Sequence, residues 1–300
     1  MEVYRQYTKP AEVEKAINTL RGMMMGIAAD GHVIEKEAQE LAHWCSLHAG
    51  LRDRHPFDEI IPAVEAALED GVITPEEKED ILWVCDRVSS RGDYYGDVAA
   101  SIQFLNGMVH GLLADGTMND SEITALQTWL TENDFLEGTY PFDELYSIVC
   151  AILQDHVVTE DERKTLMAFC SNLVDFTESY NLSERDFAAM REKYSVQGVC
   201  ALCPTLEFEG KTFVLTGESY RASRAEWAHC ISKLGGAVKS SVTSKTDYLI
   251  VGNAGNPCWA FSCYGRKIEN AIQLRKKGAK VQIVNENDFW DAVEDAKISE

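Results

Sequence analysis

"FVLTGESYRASRAEW" (residues 213–227) is the stretch on which the fold turns. An apolar run ends at Thr216-Gly217, a small polar loop follows, and Ser223-Arg224-Ala225-Glu226 opens a helix with a capping box. Trp227, Ile231 and Leu234 then recur at helical spacing. A buried strand, a polar loop and a helix with arginine in its first turn begin a parallel α/β unit. The rest of the unit follows downstream. "LGGAVKSSV" (234–242) stops the helix with glycines and starts a second strand. "TDYLIVG" (246–252) is a third strand, and "RKIENAIQLRKKG" (266–278) a second helix closed by Gly278. "AKVQIV" (279–284) is a fourth strand, and "NENDFWDAV" (285–293) opens a last helix capped by Asn285. The order β-α-β-β-α-β-α predicts a small four-stranded parallel sheet covered by helices.

The chain upstream of this unit repeats itself. "LRGMMMGIAADG" (20–31) aligns with "LNGMVHGLLADG" (105–116), "RHPFDEI" (54–60) with "TYPFDEL" (139–145), and "EDGVITPEEKE" (69–79) with "QDHVVTEDERK" (154–164). Every match has the same offset of 85, with 24 identities in the 72 positions of 17–88 against 102–173. That regularity marks an internal duplication. Apolar residues recur at helical spacing, as in Leu41, Trp44 and Cys45, or Ile60, Val64, Ala67 and Leu68, so each copy is expected to hold four helices. Thr74 with Glu77, Asn119 with Glu122, and Thr159 with Glu162 are N-terminal capping pairs, whereas Ile34 offers no side-chain cap. One more helix, capped at Ser183, precedes a linker. The expected organisation is a multidomain α plus α/β chain: helical repeat 1 over 10–95, helical repeat 2 with its extra helix over 96–194, a linker over 195–206, and the α/β domain over 207–297.

Of the 300 residues, 45 % are apolar and 26 % charged, as in ordinary globular proteins. The charge is uneven. Residues 1–204 hold 15 Lys and Arg against 37 Asp and Glu, a net of −22, while residues 205–300 hold 13 against 12, a net of +1. The helical part should repel nucleic acid and anionic membrane, so phosphate contacts are expected from the last third. The charged start has no apolar h-region, and no apolar run reaches 18 residues, so neither a signal peptide nor a membrane span is expected. Nine scattered cysteines favour reduced thiols and a cytoplasmic location. Cys200-x-x-Cys203 lacks a second pair at zinc-site spacing and is read as two reduced linker thiols.

Asp30-Gly31, Asp70-Gly71 and Asp115-Gly116 each join two helices, with Asp155-His156 as a degenerate fourth corner. Glycine in a left-handed helix cap accounts for them structurally. An aspartate in a helix's last turn also opposes the macrodipole, which admits metal ligation as the other reading. "GIAADGHVIEKE", "EDGVITPEEKE" and "GLLADGTMNDSE" resemble the TerB-like, tellurite-resistance-type helical family over about 170 residues. The resemblance implies an all-helical fold, acidic metal ligands and a link to stress responses. Asp30, Asp70 and Asp115 are the metal candidates it suggests; no cofactor is expected, a divalent metal in the helical module being the one that the resemblance admits.

The α/β unit resembles a BRCT domain. Gly210-Lys211, "FVLTG", "SRAEW", "LGGAV", "SKTDYLIVG", "GRKIENA" and "VQIVNENDF" fall in that family's order over nearly all of 206–295. The likeness is greatest to the BRCT modules of bacterial NAD-dependent DNA ligases and of the eukaryotic clamp-loader large subunit. The longer "NAGNPCWAFSCYG" (253–265) departs from the pattern beside the ligand face. Family pockets hold phosphate with a Ser or Thr hydroxyl and a Gly amide at the end of strand one and a lysine at the start of helix two. Members that bind DNA ends add an arginine in helix one. Carried over, these positions are Thr216, Gly217, Lys267 and Arg224. Glycine lets backbone approach the anion, and Arg224 adds its charge at the positive end of a helix. The structural alternative pairs Lys267 with Glu269 or Glu226. Trp259, Arg266, Lys276 and Lys277 are further contacts expected for nucleic acid or partner, within a basic run that includes Arg275 and Lys280.

No catalytic motif is present. "EGKT" (209–212) lacks the earlier glycine of a phosphate-binding loop, and KxDG, HExxH, GxSxG and GxGxxG do not occur. The expectation is a non-catalytic adaptor in DNA repair or replication. Its BRCT domain would read a phosphorylated DNA end or a phosphorylated or repair protein, and its acidic repeats would hold a second protein. The alternatives are a metal-binding stress-response protein with BRCT as tether, and a subunit of a DNA-processing complex.

Overall fold

The computed structural model describes residues 2–31, 33–69, 73–89, 96–194, 200–219, 221–252 and 266–298, without the side chains of 2–10, 88–89 and 297–298. The first copy of the repeat forms α1 (Glu2–Ile27), α2 (Glu35–Leu47), α3 (Phe57–Ala67) and α4 (Pro75–Ser89). The second forms α5 (Asp97–Leu113), α6 (Asp120–Glu132), α7 (Phe142–Ile152) and α8 (Glu160–Cys170), and α9 (Glu184–Tyr194) follows. The capping pairs form as the sequence requires. Thr74, Asn119 and Thr159 each accept the amide of the glutamate three residues on, and that glutamate accepts their own amide. At Ile34 only the return half exists, a 2.7 Å bond from its amide to Glu37.

The chain divides into two compact units, Met1–Trp129 with Val158–Tyr194, and Leu130–Val157 with Ser195–Glu300. In the first unit α1 and α5, equivalent helices of the duplication, lie backbone against backbone. Gly26 on α1 meets Gly111 on α5, Gly22 faces the backbone of Phe104 and Met108, and a Cβ on Gly107 would stand 2.0 Å from the Thr19 carbonyl oxygen. Leu20, Met24, Ile27, Leu41, Trp44, Phe57, Ile60 and Val64 form the buried core of the first copy. The fully buried Glu40 accepts from His110 (3.1 Å), the Ser179 hydroxyl (2.8 Å) and the amides of Tyr180 and Asn181 (3.1 and 2.6 Å), which ties the segment before α9 to α2.

The second unit contains β1 (Thr212–Thr216), α10 (Arg224–Lys233), β2 (Ala237–Lys239), β3 (Tyr248–Val251), α11 (Arg266–Lys276), β4 (Gln282–Asn285) and α12 (Glu286–Ile298). All three strand pairings are parallel, in the order β2-β1-β3-β4. Side chains alternate across the sheet. Phe213, Leu215 and Ile250 pack with Trp227 and Ile231 of α10 and Phe289 and Val293 of α12. Val214, Leu249 and Ile283 pack with Ile268 and Ala271 of α11 on the other face. The result is the expected α plus α/β arrangement. Asn285 caps α12 by accepting the Asn287 amide at 2.8 Å.

Two expectations are corrected here. Cys200 is disulfide-bonded, while Cys203 is a free, exposed thiol. The segment around Cys200 is pinned to the sheet, with the Ala201 amide on the Ile283 carbonyl (2.7 Å) and the Cys200 carbonyl bonded by the Ser147 hydroxyl. Arg275 does not belong to a solvated basic face. Its side chain is 1 % exposed and is ion-paired with Asp143 and Glu144 of α7, which belongs to this unit.

Candidate functional site

The parallel order β2-β1-β3-β4 places the topological switch between β1 and β3, because the chain leaves β1 to one side and returns on the other. Ligand sites of open α/β sheets lie at the carboxyl ends of the strands beside such a switch. Here the two strand ends close on paired glycines. Gly217, at φ +72°, follows β1, and Gly252 follows β3 and donates its amide to the Thr216 carbonyl at 2.9 Å. A Cβ on Gly217 would stand 3.0 Å from the Gly252 carbonyl oxygen, and one on Gly252 only 2.3 Å from that of Glu218. Side-chain-free residues are therefore needed on both sides.

Two cations meet at this point. Arg224 is the first residue of α10, whose N-terminus is closed by the Ser223–Glu226 capping box. Its guanidinium donates to the Leu215 carbonyl at 2.9 Å and to the Gly217 carbonyl at 2.7 Å. Lys267, second in α11, donates its Nζ to the same Leu215 carbonyl at 2.7 Å. Burial lowers the Lys267 pKa, and the neighbouring Arg224 charge lowers it further. Among the described residues neither cation forms an ion pair. Glu226 does not take Lys267, because its carboxylate is held by the Ser223 amide and hydroxyl at 2.8 and 2.7 Å. Thr216 shares a strand face with Val214, which packs against α11, so its side chain lies on the face where Lys267 begins that helix. The structure thus brings Arg224 and Lys267 together at the carbonyl preceding Thr216-Gly217. Two cations without a carboxylate partner among the described residues, half-exposed backbone and a helix N-terminus suit a small anion with several acceptor oxygens.

The loop after β1 is tied from a direction the sequence does not reveal. Ser219 donates to Glu286, which is 1 % exposed at the start of α12 and also accepts from Trp290 Nε1 at 3.1 Å. Ser219 in turn accepts the amides of Arg221 and Ala222 at 3.0 and 3.2 Å. The paired "LTG" and "IVG" strand ends were the available signal for Gly252; Ser219 and Glu286 had none, being 67 residues apart.

The other expected contacts are spread out. Arg266 is exposed at the first position of α11. Lys276 and Lys277 are exposed at its far end, about 14 Å along the axis from Lys267 at 1.5 Å per residue. Lys276 lies 5.8 Å over the Tyr140 ring. Trp259 lies outside the described residues, as does Asp70.

Of the metal candidates in the first unit, Asp30 accepts from Asn119 Nδ2 at 3.1 Å, and Asp115 accepts from the Thr117 amide and hydroxyl at 2.7 and 2.8 Å. They share a corner with Glu37 and Glu122, the 85-offset equivalents of each other. Burial pushes Glu37 up to about 7 and Glu122 up to about 8, and the charges of Asp115 and Asp30 push the same way. Amide bonds from Ile34 and Asn119 oppose the shift and lose to burial. Among the described residues, the one group of three ligand-type side chains with atoms within 4.8 Å of one another is His55, Asp58 and Glu59, all exposed. Asp30 and Asp115 do not form such a group. The raised pKa values carry a stability consequence. Between the ordinary 4.5 and about 8 the folded chain holds protons that the unfolded chain has released, so stability falls as pH rises through that window. The thermal midpoint is expected to be lower near pH ~8.5 than near pH ~6, and Glu122→Gln should flatten that dependence. A midpoint that rises over this range in the wild-type chain contradicts the assignment.

Comparison with known proteins bears on the α/β unit. Residues 203–292 match the BRCA1 C Terminus (BRCT) domain family. A protein named DNA ligase from Prochlorococcus marinus is 35 % identical over 88 residues, 29 % of this chain and 11 % of the relative. A DNA ligase from Thermosipho africanus is 40 % identical over 80 residues, 27 % of this chain and 10 % of the relative. One from Desulforudis audaxviator is 42 % identical over 80 residues, with the same shares. The chain therefore spans about a tenth of the length of these curated relatives. No solved structure matches it. Among the described residues no helix is long and apolar enough to cross a membrane.

Proposed function

We propose that this chain, which carries a BRCT domain at its C-terminus similar to those of DNA ligases, is a non-catalytic adaptor that recognises a terminal phosphate on DNA. The observation that carries the reading is the meeting of Arg224 and Lys267 on the Leu215 carbonyl with no carboxylate counter-charge among the described residues. In this reading a phosphate dianion replaces that carbonyl as the shared acceptor. Thr216 supplies a hydroxyl, Gly217 an unobstructed backbone, and α10 the positive end of its dipole. The names of the ligase relatives favour a DNA end over a phosphopeptide, and the near-neutral charge of residues 205–300 permits approach to DNA where the helical part does not.

Each charge-assisted bond of this kind contributes about 1.5–3 kcal/mol, so loss of either cation is expected to weaken binding about 10–100-fold. Fluorescence anisotropy of the full chain with labelled duplexes, bearing either a 5′-phosphate or a 5′-hydroxyl, reads this directly. The phosphorylated duplex is expected to bind at least about tenfold more tightly, and Lys267→Ala and Arg224→Ala should each erase most of that preference. A chain that does not distinguish the two duplexes sinks the reading. Preference for a phosphopeptide over a phosphorylated duplex would move the ligand from DNA to protein.

A second reading rests on the helical part, as a TerB-like, metal-linked stress module with BRCT as tether. The placing of the buried Glu37 and Glu122 beside Asp30 and Asp115 favours it: burial chiefly, and the two aspartate charges in addition, disfavour their ionised forms, and a divalent cation would supply counter-charge. Calorimetry of the full chain with Ca²⁺ or Mn²⁺ decides it: absence of both heat and thermal shift rejects the metal.

A further inference from the structure

The loop between β1 and α10 joins the two ends of the anion site, Thr216-Gly217 and Arg224. Its course is set from outside the loop. In the order β2-β1-β3-β4, β4 lies two strands from β1, about 9–10 Å at the usual strand spacing. The loop crosses that gap over the end of β3. A Cβ on Gly252 would stand 2.3 Å from the Glu218 carbonyl oxygen, so a side chain there would block the crossing. On the far side Ser219 meets Glu286, the first residue of α12 and the one that follows β4.

The crossing uses up the Ser219 hydroxyl. It donates its proton to Glu286 and accepts the amides of Arg221 and Ala222 at 3.0 and 3.2 Å, which is all that one hydroxyl offers. Ser219 therefore has no proton left for a phosphate oxygen. Nor has Ser223, which donates to Glu226 at 2.7 Å. The Thr216 hydroxyl is different, since it forms no hydrogen bond among the described residues.

Glu286 braces the other end of the loop as well. It is 1 % exposed, and the oxygen that takes Ser219, Oε1, also accepts Trp290 Nε1 at 3.1 Å. Trp290 stacks at 6.1 Å on Trp227 of α10, the helix that Arg224 opens. Between the two braces Gly217, at φ +72°, presents its carbonyl to the Arg224 guanidinium at 2.7 Å. The direction of that guanidinium thus follows the course of the loop. We infer that Ser219 and Glu286 are positioning residues of the anion site, which touch no ligand and hold Arg224 where a terminal phosphate meets it. This inference rests on the terminal-phosphate reading above.

The test is the ratio of the full chain's affinities for 5′-phosphate and 5′-hydroxyl duplexes, read by anisotropy. A merely structural role would lower the thermal midpoint and leave that ratio alone. Ser219→Ala is expected to lower the ratio about three- to tenfold, with the hydroxyl duplex bound as before. Glu286→Ala should do the same, whereas Glu286→Gln, which keeps Oε1 as acceptor, should stay within about twofold of the wild-type ratio. In an Arg224→Ala chain Ser219→Ala should lower the ratio no further, because its effect passes through that guanidinium. Hydrogen exchange without DNA is the second measurement, and the Arg221 and Ala222 amides should exchange faster in Ser219→Ala. A Ser219→Ala chain that keeps the wild-type ratio, equal weakening toward both duplexes, a further loss in the Arg224→Ala background, or unchanged exchange at Arg221 and Ala222 overturns the inference. A wild-type chain with no preference sinks the terminal-phosphate reading and this inference together, and that result is seen before any variant is made. Failure of the variants alone leaves the reading standing.

Discussion

Arg275→Ala is expected to destabilise the second unit by about 3–5 kcal/mol, the usual cost of removing one partner from a buried ion pair. Its guanidinium also donates to the carbonyls of Val281 (2.6 Å), Gly138 (3.3 Å) and Thr139 (3.2 Å), so one side chain joins α7 to α11 and to the start of β4. Alanine would leave two buried carboxylates without their cation, Asp143 keeping only the Gly138 amide at 2.9 Å, and several carbonyls without this donor. Asp143, pushed up to about 6 by burial despite the nearby Arg275, would lose the charge that opposes that shift. The chain would respond by protonating or by opening the α7 contact. Lysine at this position should recover only part of the loss, because it cannot bridge both carboxylates in the plane of a guanidinium. A triple replacement, R275M/D143N/E144Q, should do better than alanine alone, since replacing all the charges removes the desolvation cost that a single deletion leaves behind. Urea unfolding of the full chain measures these effects, and an Arg275→Ala midpoint within about 1 kcal/mol of wild type would refute the account.

Gly107→Val carries the second largest expected effect, about 3 kcal/mol or more against the first unit. The atoms a new Cβ would strike are backbone: the Thr19 carbonyl oxygen at 2.0 Å and its carbon at 2.8 Å. No rotamer change relieves such a clash, so α1 and α5 must separate and lose contact along both helices. The symmetry of the duplication predicts the reciprocal result, since a Cβ on Gly22 would stand 1.9 Å from the Phe104 carbonyl oxygen. Gly50→Ala, where a Cβ meets nothing within 4 Å, serves as the control and should change stability by no more than about 0.5 kcal/mol. Thermal unfolding that leaves Gly107→Val at the wild-type midpoint would mean that the two helices do not meet as described.

Much of the local structure was legible because its causes are local. Ser223 and Glu226, Thr74 and Glu77, Asn119 and Glu122, and Thr159 and Glu162 are three residues apart, and each pair forms the expected cap. The apolar run at 213–215 and the alternation across it are what assign β1 and its two faces. Arg224 stood out as an arginine in the first turn of a helix after a strand end, and Lys267 through the resemblance to BRCT domains. What the strings could not disclose was that both would share one carbonyl as acceptor, or that Glu226 would be occupied by its own cap. Ser219 on Glu286 and Glu40 on residues 179–181 were invisible for a related reason: no short-range pattern links residues 67 or about 140 positions apart.

Arg275 shows the boundary most clearly. In sequence it is one of several basic residues at the end of a helix, beside Lys276 and Lys277, and charge there looks like solvated surface. In the folded unit it is the buried member of that run. The sequence by itself determined the helices, the strands, their caps and the internal duplication, since these follow from periodicity and neighbouring side chains. Only the tertiary structure decided which of two identical Asp-Glu pairs would be buried around an arginine and which would stay exposed beside Arg87. That choice depends on a helix about 130 residues later in the chain, and burial, not residue identity, sets whether a charge is structural or available.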